Sequence, residues 1–219
     1  MFPLYDENRS KTLPILTWSL IVVNVIVFLW ELNTGFDPEI FIIYGEIPAE
    51  IVQGKRLFTL ITSMFIHGDF FHIIGNMIYL FVFGDNVEDK FGHFKFILLY
   101  FLFGVVGGLT HSIFSSLSNG LDAYIPAVGA SGAVSGILGA YLVFFPRARI
   151  VSLVPSFYFM RLARVPALIF IGFWFILQLL YAGGMTSVAY MAHIGGFIIG
   201  LIIAVVYRYT NRKFKNPSF

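Results

Sequence analysis

The sequence predicts an all-α membrane protein of six transmembrane helices, with both termini cytoplasmic. Three observations carry this. Of 219 residues, 58% are apolar and 12% charged, where a soluble domain carries about 25% charge, and mean hydropathy is +0.84. The apolar residues gather into charge-free runs of a length that suits a bilayer. When the chain is threaded six times through those runs, 12 of its 14 Lys and Arg residues fall on one side.

The first run, residues 12–30, has its core from Ile15 to Trp30. It does not read as a signal peptide, because Asp6 and Glu7 accompany Arg9 and Lys11 and no small-residue cleavage site follows. Phe70 to Gly84 is the second span. At 1.5 Å per residue it covers roughly 22 Å, short of a hydrocarbon core of about 30 Å. Phe96 to Phe114 is the third, and Ser131 to Pro146 a short fourth. Residues 165–207 are charge-free and too long for one helix. Tyr181-Ala182-Gly183-Gly184 divides them into a fifth span, about 165–181, and a sixth, about 189–207. Ile150 to Met160 is apolar but short, contains Pro155 and lies between arginines, so it reads as an interfacial loop element.

With the N-terminus inside, only Lys55 and Arg56 lie outside. The chain then divides into a cytoplasmic segment (1–12), a six-span membrane domain (13–208) and a basic cytoplasmic tail (209–219).

Several function classes drop out. There is no cysteine, hence no disulfide, thiol nucleophile or thiolate metal site. A net charge of +2 gives no basis for a nucleic-acid partner. His-Glu-x-x-His is absent, so no metal or other cofactor is expected. An aspartic dyad would need two aspartates within spans, and Asp85 stands alone at the inner end of the second.

Polar residues inside membrane helices call for a functional explanation. Here Ser131 begins the fourth span, His193 lies in the first turns of the sixth, and His72 and Asn76 lie in the first turns of the second. All three spans run from outside to inside, so the four residues share one depth. The fourth span carries a stripe of Ser131, Gly132, Ser135, Gly136, Gly139 and Ala140, and the sixth carries Gly196, Gly200 and Ala204. Small residues let membrane helices approach closely, and docking these stripes points the imidazole at the hydroxyl. Most G-x-x-x-G pairs serve packing alone, and Gly107-Gly108 reads as a packing notch. His111 reads as a helix bridge and His93 as a solvated loop residue.

Serine needs a base within reach, and His193 supplies it. The start of the fourth helix offers unpaired N–H groups and a positive dipole end to a developing oxyanion, and His72 and Asn76 add donors. No acid lies in a span near His193, and Asp69 and Asp122 are in outer loops, so a full triad is not expected.

These residues resemble the rhomboid family of intramembrane serine proteases. The resemblance covers about residues 59–204: Thr62-Ser63-Met64-Phe65-Ile66-His67, His72-x3-Asn76, Gly129-Ala-Ser131-Gly-Ala, then Ala192-His193-x2-Gly196-x3-Gly200. It implies a six-helix bundle whose large first outer loop, about 31–69, lies partly in the membrane. It implies a Ser131–His193 dyad and an oxyanion hole of His72, Asn76 and the Ser131 N–H, with Gly129 shaping the adjacent loop. His67 matches a structural histidine. Thr59 stands where many members have Arg, with Arg56 nearby, and Ser135 stands where some place an aromatic beneath the imidazole.

The expected activity is endoproteolysis of single-span transmembrane substrates near the outer membrane face. The compact form suits a prokaryotic plasma membrane, with membrane lipid as the surrounding partner. A helical backbone is hydrogen-bonded and sheathed by side chains, so the cleaved segment must unwind, helped by Gly, Pro or Ser. Two alternatives stay open: an inactive rhomboid-like protein that binds and escorts membrane clients, and a small-solute transporter, although no internal repeat is evident.

Overall fold

The computed structural model describes residues 1–118, 120–155, 159–182 and 188–215. The Gly183-Gly184 break and the end of the basic tail lie outside these residues. In chain order the elements begin with strand β1 (Phe2–Asp6) and helix α1 (Ile15–Asn33), then the short helices α2 (Pro38–Tyr44), α3 (Pro48–Ile51) and α4 (Thr59–Thr62). Helices α5 (Phe70–Phe91), α6 (His93–Leu117) and α7 (Ser131–Phe144) follow. Strands β2 (Arg149–Pro155) and β3 (Met160–Pro166) precede α8 (Ala167–Tyr181) and α9 (Tyr190–Lys215).

Among the described residues, four helices are long and apolar enough to cross a bilayer: Ile15–Asn33, Phe70–Phe91, His93–Leu117 and, within α9, Tyr190–Asn211. α7 and α8 are shorter apolar helices. Their outward faces are apolar too: Val22, Ile26 and Leu29 on α1 and Ile169, Phe173, Ile176 and Leu180 on α8 are exposed. Such faces are satisfied by lipid rather than by water.

α7 is the centre of the molecule. Ten of its residues, Gly132 through Tyr141, are buried, and it packs most extensively against α9. The glycine stripes mate here. A Cβ on Gly196 would lie 2.0 Å from the Gly132 carbonyl oxygen, and one on Gly200 would lie 2.0 Å from that of Gly136. The notch on α6 is less tight but still closed to a side chain, since a Cβ on Gly107 would meet the Ala192 carbonyl oxygen at 2.8 Å. Backbone cannot yield as a flexible side chain does, and overpacking typically costs about 1–3 kcal/mol. Gly200→Val should therefore lower the melting temperature in detergent substantially. Gly172→Val should be near neutral, because a Cβ there meets nothing within 4 Å. Equal melting temperatures for the two variants would contradict the packing.

α5 extends seven residues beyond the expected Gly84, ending only where Gly92 takes φ +78°. The cause is tertiary. Glu88, fully buried on this extension, accepts hydrogen bonds from Leu16 N at 3.0 Å, Thr17 N at 2.8 Å and Thr17 Oγ1 at 2.7 Å. It thus caps α1, which no residue of its own caps. His93, expected as a solvated loop residue, instead pairs through Nδ1 with Glu88 Oε1 at 2.5 Å.

Within the segment expected as an interfacial loop, Ile150 to Pro155 and Met160 are strand, and residues 156–158 lie outside the described residues. β1, β2 and β3 form an antiparallel sheet in that order. Ile150, Val151 and Ser152 of β2 are buried, and β-branched residues such as Ile150 and Val151 favour a pleated surface. The sheet brings Asp6 to α7 and α5: the Tyr141 hydroxyl donates to Asp6 Oδ2, and Asn86 Nδ2 donates to it at 2.9 Å. Burial pushes the Asp6 carboxyl up from 3.8 to about 7, Asp85 adds repulsion, and the Tyr141 hydrogen bond opposes both. A raised acid favours the neutral form in the fold. Its contribution is therefore present below the usual value and is lost as pH rises through about 7. Melting in detergent should show the wild type less stable at about pH 8 than at about pH 5, with Asp6→Asn reducing the difference. An unchanged difference in Asp6→Asn would assign the pH dependence to other groups.

Candidate active site

Asp69 sets the position of the first two site residues. Its extended backbone stops the preceding chain, and its Oδ1 accepts the His72 N–H at 2.9 Å, so α5 begins at Phe70. His72 then sits in the first turn and Asn76 one turn below it. Across from them, Gly129 adopts φ +115°, a conformation that favours glycine. A Cβ there would lie 2.4 Å from His72 Nε2 and 3.5 Å from Asn76 Nδ2. The absent side chain is what admits both polar groups. The Gly129 N–H itself is used, donating to the Ser63 carbonyl at 2.8 Å.

α7 begins two residues later with Ser131, and no side chain caps its first turn. The first N–H groups of a helix have no intrahelical acceptor, so this end is a set of donors beside Gly129. The Asn76 side chain is buried, and among the described residues its Nδ2 has no hydrogen-bond partner. A buried donor without an acceptor costs about 1–3 kcal/mol, so it calls for an explanation. Ser131 also lines a cavity of about 30 Å³ with Gly129, Gly132, Ala189 and Ala192. That is room for one water molecule.

The structure therefore gathers His72, Asn76 and Gly129 in one cluster that adjoins the start of α7. His193 is the fourth residue of α9, directly after the Ala192 that lines the Ser131 cavity. Its ring lies between Trp174, with centroids 6.0 Å apart, and Tyr190, at 6.1 Å. Its Nδ1 is hydrogen-bonded to Gln178 Oε1 at 2.7 Å. Sequence reasoning missed Gln178. The signal was present: it is the single amide in the apolar helix α8, and intramembrane polar groups are costly without a role.

His67 lies against this cluster, its ring 5.1 Å from that of His72 in an edge contact. Its N–H donates to the Glu31 carboxylate at 3.0 and 3.2 Å, which ties the outer loop to α1. Burial, helped by neighbouring His72, pushes the His67 imidazole down to about 3, so it is neutral.

The rhomboid domain family model matches residues 54–210. The chain belongs to the rhomboid family. Among curated rhomboid relatives, Rhomboid protease GluP of Bacillus subtilis is 27% identical over 92% of this chain and 38% of its own length. Rhomboid protease AarA of Providencia stuartii is 26% identical over 88% of this chain and 72% of its own. RHOMBOID-like protein 12, mitochondrial, of Arabidopsis thaliana is 31% identical over 84% and 55%. The chain spans about half the length of the first plant relatives it matches, 54% and 55%. These rhomboids support an integral membrane protein. Because they include mitochondrial as well as bacterial proteins, they do not support the expected prokaryotic plasma membrane in particular.

Two places where this rhomboid departs from the family pattern have structural answers. Arg56, three residues before Thr59, ties the outer loop: Nη1 pairs with Glu50 Oε2 at 2.9 Å and Nη2 donates to the Ile42 and Ile43 carbonyls. Thr59 Oγ1 donates to the Arg56 carbonyl at 2.8 Å. Ser135 donates back to the Ser131 carbonyl at 2.6 Å instead of lying beneath the imidazole. Trp174 and Tyr190 are the rings beside His193.

Proposed function

We propose that the chain is an intramembrane serine endopeptidase that cleaves single-span membrane proteins near the outer membrane face. The observation that carries this reading is the buried Asn76 Nδ2, without a hydrogen-bond partner among the described residues, beside Gly129 and two residues from the uncapped start of α7. Donors held near a nucleophile are what a developing oxyanion requires. In this reading all six apolar helices, including the short α7 and α8, cross or enter the bilayer, with both termini cytoplasmic. The membrane domain keeps the bounds 13–208, between the N-terminal segment and the basic tail.

Ser131 Oγ attacks the scissile carbonyl as His193 takes its proton. The carbonyl oxygen becomes negative and is held by Asn76, His72 and the first N–H groups of α7. His193 then returns the proton to the leaving amine, and the acyl-enzyme forms. A water molecule, activated by the same imidazole, releases the second product. A cleft that Gly129, Gly132, Ala189 and Ala192 help to line favours a small residue just before the scissile bond. No step calls for a metal.

The test is cleavage of a single-span reporter by purified protein in liposomes, with mass spectrometry of the products and fluorophosphonate labelling. Cuts near the outer end of the span, with labelling at Ser131, are expected. Cuts clustered at the cytoplasmic end, or sensitivity to chelators restored by zinc, would overturn the reading. A folded protein that binds the reporter yet neither labels nor cleaves would instead be an escort factor.

A further inference from the structure

We propose that Gln178 is a positioning residue that holds His193 in the tautomer carrying its proton on Nδ1, leaving the Nε2 lone pair free for Ser131. The proposal rests on the Ser131–His193 reading above.

The orientation of the amide follows from its neighbours. Gln178 Nε2 donates to the Trp174 carbonyl at 3.1 Å. A carbonyl only accepts, so the NH2 end must face Trp174 and the Oε1 end must face His193. A flipped amide would set two oxygens against each other. With Oε1 facing the ring, the nitrogen 2.7 Å away must be the donor. Imidazole that is neutral carries one N–H, and a proton on Nδ1 leaves Nε2 as the acceptor. The opposite tautomer would present an N–H to the nucleophile and could not accept its proton.

The surroundings make this hydrogen bond persistent. Gln178 is 7% exposed, so water does not compete for the amide. Trp174 and Tyr190 flank the imidazole and limit its rotation. Residues 165–207, which hold both α8 and the outer half of α9, contain no carboxylate. Serine hydrolases elsewhere orient their histidine with an acid, but a carboxylate here would carry a heavy desolvation cost in an apolar setting. A neutral amide orients the ring without that cost, as asparagine does in cysteine proteases of the Cys-His-Asn type. The dyad is then oriented by a third group, supplied from a neighbouring helix.

The experiment compares Gln178→Met, nearly isosteric but lacking the acceptor, with Gln178→Glu, which keeps an acceptor oxygen. Both are measured by kcat and KM on a single-span reporter, beside Ser131→Ala and His193→Ala. Gln178→Met should lose about 10–100-fold in kcat, by analogy with the loss of the partner that orients a metal-bound histidine, with KM and melting temperature unchanged. Gln178→Glu, uncharged in this apolar setting, offers its carbonyl oxygen to the Nδ1–H and its hydroxyl to the Trp174 carbonyl, and should recover most of that loss. In wild-type protein labelled with 15N-histidine, the His193 signal, identified by its absence from His193→Ala, should report the Nδ1–H tautomer. Wild-type kcat in Gln178→Met, a change confined to KM, a Gln178→Glu variant as slow as Gln178→Met, or an Nε2–H tautomer would each overturn the proposal while leaving the dyad standing. Normal cleavage by Ser131→Ala or His193→Ala would overturn the dyad, and this proposal with it. The tautomer measurement needs no Gln178 variant, so it decides even if Gln178→Met does not fold.

Discussion

Ser131→Ala should abolish cleavage and fluorophosphonate labelling while the protein stays folded. Ser131 is half-buried at the first position of α7, so losing one oxygen removes no packing. Among the described residues the Ser131 hydroxyl has no hydrogen-bond partner. The carbonyl that Ser135 uses belongs to the backbone and survives the substitution. The loss should be on the order of 10⁶ in kcat, typical of a serine nucleophile. His193→Ala should cost about as much, and the double variant no more than either, because nucleophile and base act as a unit. Activity should also fall on acidification, since a protonated His193 cannot accept the serine proton. Single-turnover cleavage at several pH values, beside melting curves, checks all three. Cleavage at a near-normal rate in either single variant would remove the dyad.

Asn76→Ala should lower kcat by about 10²–10³, the typical cost of one oxyanion donor, with KM little changed. The geometry makes this prediction sharp. In the resting protein the Asn76 Nδ2 has no partner among the described residues, so the substitution breaks no ground-state hydrogen bond there. A purely structural amide would be bonded, and its loss would lower the melting temperature. Asn76→Ala should instead leave stability unchanged or raise it, because a buried unsatisfied donor is removed. Gly129→Ala offers an independent approach to the same point, since its Cβ would fall 2.4 Å from His72 Nε2. Lower stability with unchanged kcat in Asn76→Ala would move the residue to a packing role.

Much of the molecule was legible in the sequence because membrane helices are encoded locally. Each of the six apolar runs expected as spans became a helix, since an apolar segment in a bilayer must satisfy its own backbone. The helix starts were legible as well. The second span was expected from Phe70 and the fourth from Ser131, and α5 and α7 begin at those residues. The stripes of Gly132, Gly136, Gly196 and Gly200 announced their own mating, because only residues without side chains permit backbones that close. Local signals misled where charge was taken for solvent. Asp85 to Lys95 read as a loop, yet Glu88 is fully buried and bonded to both α1 and His93. A carboxylate's exposure depends on which donors the fold brings to it, and those lie 71 residues away in Thr17. The strand β2 was obscured for a related reason, since a short apolar run takes its conformation from its partners β1 and β3.

By itself, then, the sequence determined membrane class, helix positions and the placing of Ser131, His72, Asn76 and His193 in the first turns of their helices. All of these follow from hydropathy, capping residues and spacing within a few turns of one helix. Only the tertiary structure decided which polar atoms are paired and which are left open: Gln178 with His193, Glu88 with α1, Asp6 with Tyr141, and Asn76 with no partner among the described residues. Whether a hydrogen bond forms depends on separations of a few tenths of an ångström between groups far apart in the chain. Such separations are set by how whole helices seat against one another, which no local pattern of residues specifies.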